Sequence, residues 1–320
     1  MRETATMVRD SDFARAVREG LAQAQKTIPA RYFYDRRGSE LFEAITDLPE
    51  YYPTRTEVGL LTAHGPDIAR LAGTGRVVVE FGSGSSVKTP LLLRHVRPSA
   101  YVPVDISADF LAASAAVLAA AHPGLDVRPL AGDFTAALTL PADLADRPML
   151  GFFPGSTIGN LTPSAAVDLL RAFRATLGEG ARLVIGIDLK KNPRLLEAAY
   201  DDSAGVTAAF NMNLLTRINR ELDGDIDFDA FEHRADWNAA LGRIEMHLVA
   251  TRDVAFHAAG RRWTMAAGET IHTENSHKYT LDETRLLARA GGWNPQAAWT
   301  DDRELFSLHV WAADPGLLEP

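Results

Sequence analysis

Residues 76–89 read RVVVEFGSGSSVKT, and this stretch decides the fold class because an apolar strand here runs directly into a glycine-rich loop. The strand is apolar at nearly every position, which is typical of a sheet that is covered on both faces. Gly82 and Gly84 allow the backbone to approach a ligand closely, and the residues that follow them begin a helix. Because α/β folds bind ligands at the carboxyl ends of their strands, the stretch predicts a ligand site in such a fold.

The same pattern, a short apolar run followed by a helical segment, repeats along the middle of the chain. The further apolar runs are Tyr101–Asp105, Val127–Leu130, Met149–Phe153 and Leu183–Leu189, and helical segments are predicted at Lys88–His95, Ser107–Ala121 and Pro163–Leu177. Strands that alternate with helices form a parallel sheet with right-handed crossovers. We therefore predict a doubly wound α/β core.

The two flanks of this core have different patterns. Residues 1–75 are predicted to be helical throughout, and Thr54 to Glu57 match a capping box that would open one of the helices. Residues 206–222 carry an apolar stripe at i+4 spacing, whereas residues 228–278 alternate as strands do. A capped helix that begins at Thr280, followed by two apolar runs, is expected to complete the sheet with an antiparallel edge.

Composition excludes several classes of function. The 320 residues include 33 Lys and Arg against 42 Asp and Glu, a net charge of −9, which argues against a nucleic-acid partner. The absence of cysteine excludes a thiol nucleophile and Cys-ligated metal centres. Residues 1–13, MRETATMVRDSDF, lack the apolar segment of a signal peptide, and no apolar run approaches the ~20 residues that span a bilayer. We expect a soluble, cytoplasmic protein with no membrane partner.

Acidic residues follow or end three successive strands of the predicted sheet. Glu80 is the acid of the first loop, just before its glycines, and Asp105 ends the second strand, where an acid commonly binds ribose hydroxyls. Asp133 and Phe134 follow the third strand and suit the amino group and the ring face of adenine. Neither the third glycine of the dinucleotide fingerprint nor the P-loop ending is present, so no phosphate group is expected. Each residue alone is more often a turn or a cap, but together they predict S-adenosylmethionine (SAM), which has a ribose and an adenine without phosphate.

The loop at residues 154–160, PGSTIGN, follows the fourth predicted strand. Its two glycines and Asn160 would present backbone amides, carbonyls and a side-chain amide beside the sulfonium of SAM. The Asn/Asp-Pro-Pro-aromatic tetrapeptide of nucleic-acid base N-methyltransferases is absent at this point. A simple turn before a helix cap at Thr162 is the structural alternative, and the position of the loop favours a functional role.

Four longer segments carry a resemblance to a known family. They are RYFYDRRGSELFEAITDLPEYYPTRTE (31–57), EFGSGSSVKT (80–89), GSTIGNLTP (155–163) and YDDSAGVTAAFN (200–211). The chain resembles the L-histidine Nα-methyltransferases of ergothioneine biosynthesis, a family shared with fungal dimethylallyltryptophan N-methyltransferases. The resemblance implies a Rossmann-like class I SAM-dependent methyltransferase domain, residues 56–189 with 279–320. It also implies a discontinuous α+β substrate-binding domain, residues 1–55 with 190–278, formed by the N-terminal region and an insertion.

The resemblance also implies the site residues, in two sets. The substrate set is Tyr34, Tyr51, Gly155, Asn160, Tyr200, Met246, Glu274 and Ser276, and the cofactor set is Gly82, Ser83, Gly84, Lys88, Asp105, Asp133 and Phe134. Asn160 and Tyr200 would hold the substrate carboxylate, and Tyr34 and Gly155 would lie near its amine. The last three members of the substrate set would border the imidazole ring.

The implied reaction is the conversion of L-histidine to Nα,Nα,Nα-trimethylhistidine (hercynine) by three successive methyl transfers from SAM, which becomes S-adenosylhomocysteine. We expect a monomer that takes L-histidine as its small-molecule substrate. His272 and His277 lie on either side of Glu274, but no strand register brings all three side chains together, so no metal is predicted.

Three alternatives remain open from the sequence. The substrate could be another aromatic amino acid or amine, such as a tryptophan derivative. The chain could also be a non-catalytic SAM-binding sensor. A dehydrogenase is disfavoured, because the third glycine that binds the phosphates is missing.

Overall fold

The computed structural model describes residues 11–84, 87–106 and 108–314 of the chain. Most of the stretch at residues 1–13, on which the signal-peptide expectation rests, lies outside the described residues, as does Ser107, the predicted start of a helix. The chain forms two compact units. The first unit contains the chain up to Tyr52 together with Lys191–Ser276, and the second contains Pro53–Lys190 together with the chain from His277 onward.

The strands and helices are labelled here in chain order. The strands are β1 (Lys26–Thr27), β2 (Val77–Phe81), β3 (Ala100–Asp105), β4 (Leu130–Ala131), β5 (Met149–Phe153), β6 (Arg182–Asp188), β7 (Phe231–Asn238), β8 (Arg243–Ala250), β9 (Val254–Ala258), β10 (Arg261–Met265), β11 (Thr270–His277), β12 (Asn294–Thr300) and β13 (Phe306–Ala312). The helices are α1 (Asp12–Leu21), α2 (Arg36–Thr46), α3 (Tyr52–Ala72), α4 (Thr89–Val96), α5 (Ala108–Ala121), α6 (Pro163–Leu177), α7 (Pro193–Tyr200), α8 (Val206–Glu221) and α9 (Leu281–Ala290). Short 3₁₀ turns lie at Ala30–Phe33, Thr157–Asn160 and Phe228–Ala230.

The second unit is built on a seven-stranded sheet, counted over the described residues, with the order β12-β13-β6-β5-β2-β3-β4. Strands β2 to β6 are parallel, whereas β13 pairs antiparallel with both β6 and β12. The strand order reverses between β2 and β5, which is the point at which α/β sheets bind ligands. The topology confirms the predicted doubly wound core with an antiparallel edge.

Both faces of this sheet are covered, as the apolar strands predict. All five positions of β2 and of β5 are buried. Successive residues of a strand point to opposite faces, and Phe152 and Phe153 accordingly belong to different hydrophobic clusters. Phe153 packs edge-on against Phe173 of α6 at a ring-centroid distance of 5.0 Å, while Phe152 shares its cluster with Ile68 of α3.

Two helix boundaries predicted from local signals are confirmed. Helix α6 begins with Pro163 after Thr162, whose side chain accepts a hydrogen bond from the backbone N–H of Ala165. Helix α9 begins after Thr280, and the full capping box with Glu283 forms.

The capping box predicted at Thr54 to Glu57 is wrong. Helix α3 begins at Tyr52, so both residues lie inside the helix. Pro53 is the physical reason, because its fixed φ angle suits the first turn of a helix and moves the start toward the N-terminus. The carboxylate of Glu57 therefore has a different role, described below.

Two further expectations need correction. The N-terminal region is not helical throughout, because β1 pairs in parallel with Ile271 and His272 of β11. Two residues are too few to show a periodicity, so the sequence carried no signal for this strand. The run Val127–Leu130 contributes only an isolated bridge from Val127 to Tyr101 and the start of the two-residue strand β4.

The first unit combines helices with a second sheet, whose order is β1-β11-β8-β7. Strands β7 and β8 pair antiparallel, with Ala235 opposite Met246. The predicted apolar stripe lies on α8, where Phe210, Leu214 and Ile218 are buried. That one discontinuous part of the chain binds the substrate and the other binds SAM stays a prediction.

Over the described residues, no helix is both long enough and apolar enough to cross a membrane.

Candidate active site

The glycine-rich loop after β2 has a backbone conformation that glycine adopts readily, as the sequence predicts. Gly82 and Gly84 have φ angles of +73° and +41°, a left-handed region that favours glycine. The N–H groups of Gly82 and Ser83 both donate to the carbonyl of Val104, which fixes the loop to the end of β3. A Cβ atom on Gly82 would lie 3.5 Å from the ring of Phe134, so this predicted adenine-binding ring lies beside the loop.

The hydroxyl of Ser83 is available for a hydrogen bond to a ligand at this loop. It is buried and has no hydrogen-bond partner among residues 11–84, 87–106 and 108–314. An unsatisfied buried hydroxyl costs about 1–3 kcal/mol unless a bound molecule supplies the missing bond. The loop and its neighbouring acids therefore fit a ligand rich in hydroxyl and amino groups, such as the nucleoside of SAM.

The two predicted acids lie at the carboxyl ends of neighbouring strands. Asp105 is the last residue of β3 and pairs with Ala131 of β4, and Asp133 follows two residues later. Oδ1 of Asp133 accepts hydrogen bonds from the backbone N–H and the hydroxyl of Thr135, so one of its oxygens also shapes a turn. The structure thus brings these acids and Phe134 to one edge of the sheet.

Glu80 does not lie in the loop, contrary to the sequence-based interpretation. It belongs to β2 and is fully buried, and its Oε2 accepts hydrogen bonds from Thr89 and Tyr101, each at 2.7 Å. Burial and the adjacent carboxylate raise the pKa of the Tyr101 hydroxyl. Glu80 is therefore part of the scaffold that connects β2, β3 and α4.

Glu57 contacts one residue of each predicted set, although it belongs to neither. Its Oε2 accepts a hydrogen bond from the backbone N–H of Gly155 at 2.8 Å and forms an ion pair with the ammonium of Lys88 at 2.7 Å. One carboxylate thus connects a predicted cofactor residue with a predicted substrate residue. No local signal could have found it, because both partners are distant in sequence.

The loop at residues 154–160 is held in a defined shape. Gly155 and Ser156 have φ angles of +81° and +57°, and the hydroxyl of Ser156 accepts a hydrogen bond from the N–H of Asp188 at 2.9 Å. Gly159 lies so close to the backbone of His277 that a Cβ atom would be 2.7 Å from its carbonyl oxygen. Asn160 ends the 3₁₀ turn and is half-buried. Gly155 and Asn160, both predicted substrate residues, therefore belong to the second unit.

The first unit brings together five of the other predicted substrate residues. The rings of Tyr51 and Tyr200 meet edge-on at 6.2 Å, and the Tyr200 hydroxyl lies 2.7 Å from that of Ser276. Burial, and then the charge of Glu274, raises the pKa of the Tyr34 hydroxyl well above its usual value. Tyr34 is nevertheless 43% exposed, so solvent reaches part of its side chain.

Local structure explains how these side chains are held. Tyr34 follows a 3₁₀ turn and packs edge-on against Phe42 and Phe210. Tyr200 is the last residue of α7. Met246, the remaining predicted member, is buried on β8, and its carbonyl accepts a hydrogen bond from Thr273.

The structure groups three potential metal ligands. They differ from the set considered in the sequence, which was His272, Glu274 and His277. Glu245, His247 and His272 place one ligand atom each within 4.8 Å of one another. Arg243 already forms an ion pair with Glu245 at 2.6 Å, and the two imidazoles stack at 4.8 Å. Burial lowers the pKa of both histidines, which favours neutral stacked rings. That the protein needs no metal stays a prediction.

Comparison with known proteins identifies the family. A profile described as histidine-specific methyltransferase, SAM-dependent, matches residues 13–313. The chain belongs to this family. The methyltransferase is 42% identical over 302 residues to histidine N-alpha-methyltransferase of Mycolicibacterium smegmatis, an alignment that covers 92% of this chain and 93% of the relative. It is 41% identical to histidine N-alpha-methyltransferase of Mycobacterium tuberculosis, covering 93% and 94% of the two chains. Ergothioneine biosynthesis protein 1 of Neurospora crassa is 30% identical, and the match covers 90% of this chain and 33% of that protein.

Family membership confirms that this methyltransferase depends on SAM, as the acids at the strand ends predicted. Together with the sheet order, it confirms the Rossmann-like class I fold. The dehydrogenase alternative is thereby set aside. The roles of the individual residues in the two sets stay predictions.

Proposed function

We propose that this protein methylates the α-amine of L-histidine three times and so produces hercynine in ergothioneine biosynthesis. The observation that carries the proposal is the grouping of Tyr34, Tyr51 and Tyr200 with Glu274 and Ser276 in the first unit. An amino acid with a polar aromatic ring needs such a mixture of hydroxyl groups and one carboxylate. The relatives at 41–42% identity carry the name of this activity.

SAM supplies a methyl group that its sulfonium already activates. On the protein side, Asp105 would accept hydrogen bonds from the ribose hydroxyls, and Asp133 would accept one from the adenine amino group. Phe134 would cover the adenine ring. No further activation is required, so the main task of the enzyme is to hold an amine lone pair against the methyl group, an entropic gain of up to ~7–11 kcal/mol in model systems.

The amine must lose a proton before it can attack, because an α-amine is largely protonated at neutral pH. The raised pKa of Tyr34 keeps its phenol protonated, so this residue orients the amine by hydrogen bonding and does not act as the base. Water is the proton acceptor in this scheme.

The aromatic side chains also suit the product. A quaternary ammonium is attracted to the faces of tyrosine rings, which helps the site to accept the amine as methyl groups accumulate. Tyr51 and Tyr200 supply such rings.

Glu274 is proposed to select the imidazole ring. A carboxylate that accepts a hydrogen bond from an imidazole N–H forms a charge-assisted bond, and an apolar analogue would leave that carboxylate without its partner. Ser276 would supply a hydroxyl beside it. The alternative substrate, another aromatic amino acid or amine, has less support, because the relatives at 41–42% identity are named for histidine.

The test is to incubate the purified protein with SAM and each common amino acid, and to follow methylation by mass spectrometry. We expect one, two and three added methyl groups on histidine and none on the other amino acids. Methylation of tryptophan with no reaction on histidine would contradict the proposal. Binding of SAM without turnover of any substrate would favour the sensor.

A further inference from the structure

We infer that Glu57 is a positioning residue for methyl transfer, which acts by orienting the ammonium of Lys88 and the backbone amide of Gly155. The inference rests on the proposed function, since that function makes Lys88 a cofactor residue and Gly155 a residue of the loop that faces the methyl group. Glu57 itself belongs to neither predicted set.

The contacts of Glu57 converge on a single oxygen atom. Its Oε2 lies 2.7 Å from Nζ of Lys88 and 2.8 Å from the amide nitrogen of Gly155. The side chain of Glu57 is fully buried and that of Lys88 is 14% exposed, so solvent screens this ion pair only slightly. Both donors are therefore held by one charged acceptor inside the protein.

The sheet topology explains why one carboxylate can reach both loops. Lys88 follows the loop after β2, and Gly155 follows β5, and these strands are neighbours at the point where the strand order reverses. Glu57 comes from a third element, α3, so it connects two loops that the sheet brings side by side.

The fold makes room for this carboxylate. A Cβ atom on Gly186 of β6 would overlap Oε1 of Glu57, so a larger residue at that position would displace the group. Oε1 has no hydrogen-bond partner in the described part of the chain. Oε2 of Glu57 thus has two donors, whereas Oε1 lies in the space that the missing side chain of Gly186 leaves.

Stability alone does not explain such a pair. Removing two charges from water costs several kcal/mol per ion, and replacing a buried pair by apolar residues is often neutral or stabilising. The ammonium of Lys88 has three N–H donors, and Glu57 accepts one of them, which fixes the direction of the others. Directed donors beside a rigid loop are what the recognition of an anionic or polar ligand requires.

The first test compares two substitutions of Glu57. Glu57→Met removes the acceptor and keeps a similar volume, whereas Glu57→Gln keeps an acceptor oxygen and loses the charge. Hydrogen exchange of the Gly155 amide, measured without SAM, should become faster in Glu57→Met and return to the wild-type rate in Glu57→Gln. The affinity for SAM, measured by calorimetry without histidine, should fall roughly 10- to 100-fold in Glu57→Met.

The second test separates positioning from stability. Glu57→Met alone leaves the Lys88 ammonium buried, so it is expected to lower the unfolding temperature. The double variant Glu57→Met/Lys88→Met removes both charges, and we expect it to recover stability while the SAM affinity and kcat stay low. Recovery of wild-type SAM affinity in the double variant would show that Glu57 has a purely structural role and would overturn the inference.

A matched control is available in the same unit. Glu283 forms an ion pair with Lys190 at 2.5 Å at the surface, and Glu283→Met should leave the SAM affinity and the Gly155 exchange rate unchanged. Unchanged Gly155 exchange in Glu57→Met would also overturn the inference. Because exchange and SAM binding are measured without histidine, they decide the role of Glu57 even if the wild-type protein fails to methylate histidine.

Discussion

The hydroxyl of Tyr200 lies 2.7 Å from the hydroxyl of Ser276, and both side chains are buried. This contact joins the last residue of α7 to a residue of β11 that lies 76 positions further along the chain. Either hydroxyl can donate to the other, so the pair can present a donor or an acceptor to a third group.

The Tyr200–Ser276 pair should act as one unit. Tyr200→Phe and Ser276→Ala each leave the other hydroxyl without this partner, so each is expected to lower kcat/KM for histidine by roughly 10-fold. The double variant should lose less than the product of the two single losses, because both remove the same interaction. Steady-state kinetics on the four proteins measure this coupling, and fully multiplicative losses would contradict it.

Glu274 should control the recognition of histidine. Glu274→Ala is expected to lower kcat/KM for histidine by roughly 100-fold, because a charge-assisted hydrogen bond to the imidazole is lost. SAM binding should not change. Kinetics with histidine and calorimetry with SAM measure the two effects, with the exposed Glu232→Ala of β7 as the control. Wild-type kinetics in Glu274→Ala would refute the assignment.

Asp105 should control the affinity for SAM. Asp105→Ala removes an acceptor for the ribose hydroxyls and is expected to weaken SAM binding by roughly 10- to 100-fold in a calorimetric titration. Asp67→Ala, which breaks a surface ion pair with Arg70 in the same unit, serves as the control and should bind SAM normally. Normal SAM affinity in Asp105→Ala would remove this residue from the cofactor set.

His309 should make the stability of the protein depend on pH. Burial on β13 lowers the pKa of His309 to about 3, from an ordinary value near 6.5. Below pH 6.5 the unfolded chain binds a proton that the folded protein does not, so stability present above pH 6.5 is lost progressively between pH 6.5 and pH 3. For this residue the loss between pH 7 and pH 5 is about 2 kcal/mol. Urea unfolding at both pH values should show a smaller loss in His309→Gln, and equal losses in the two proteins would contradict the expectation.

Removal of metal ions should not change activity. Arg243 already neutralises Glu245 in the cluster with His247 and His272, which leaves little charge to attract a cation. Extended dialysis against EDTA, followed by metal analysis and histidine assays, checks this. A bound ion at one equivalent whose removal abolishes turnover would show that the prediction is wrong.

Much of the fold was predictable because its signals are local. The apolar strands at the centre of the second unit, the Pro163 start of α6 and the capping box at Thr280 each depend on residues within one or two turns of the chain. The placement of the acids at the strand ends could also be predicted, since parallel strands place their carboxyl ends at one edge of the sheet. Asp105 and Asp133 therefore came together as expected.

The residues that the sequence did not reveal depend on distant partners. Glu57 matched a cap in its local pattern, but its hydrogen bond joins it to an amide 98 residues further along the chain. The grouping of Glu245, His247 and His272 arises from the pairing of strands that are separated in sequence. No spacing rule contains this information, because it follows from which strands become neighbours.

The sequence by itself determined the class of fold, the location of the glycine-rich loop and the residues that resemble a histidine methyltransferase. It did so through periodicity and short motifs, whose physical basis is the geometry of a single helix or strand. Only the tertiary structure decided the partners of buried charges, such as Lys88 with Glu57, and the contact between the hydroxyls of Tyr200 and Ser276. A buried polar group must find a partner within about 3 Å, and folding, not proximity along the chain, supplies that partner.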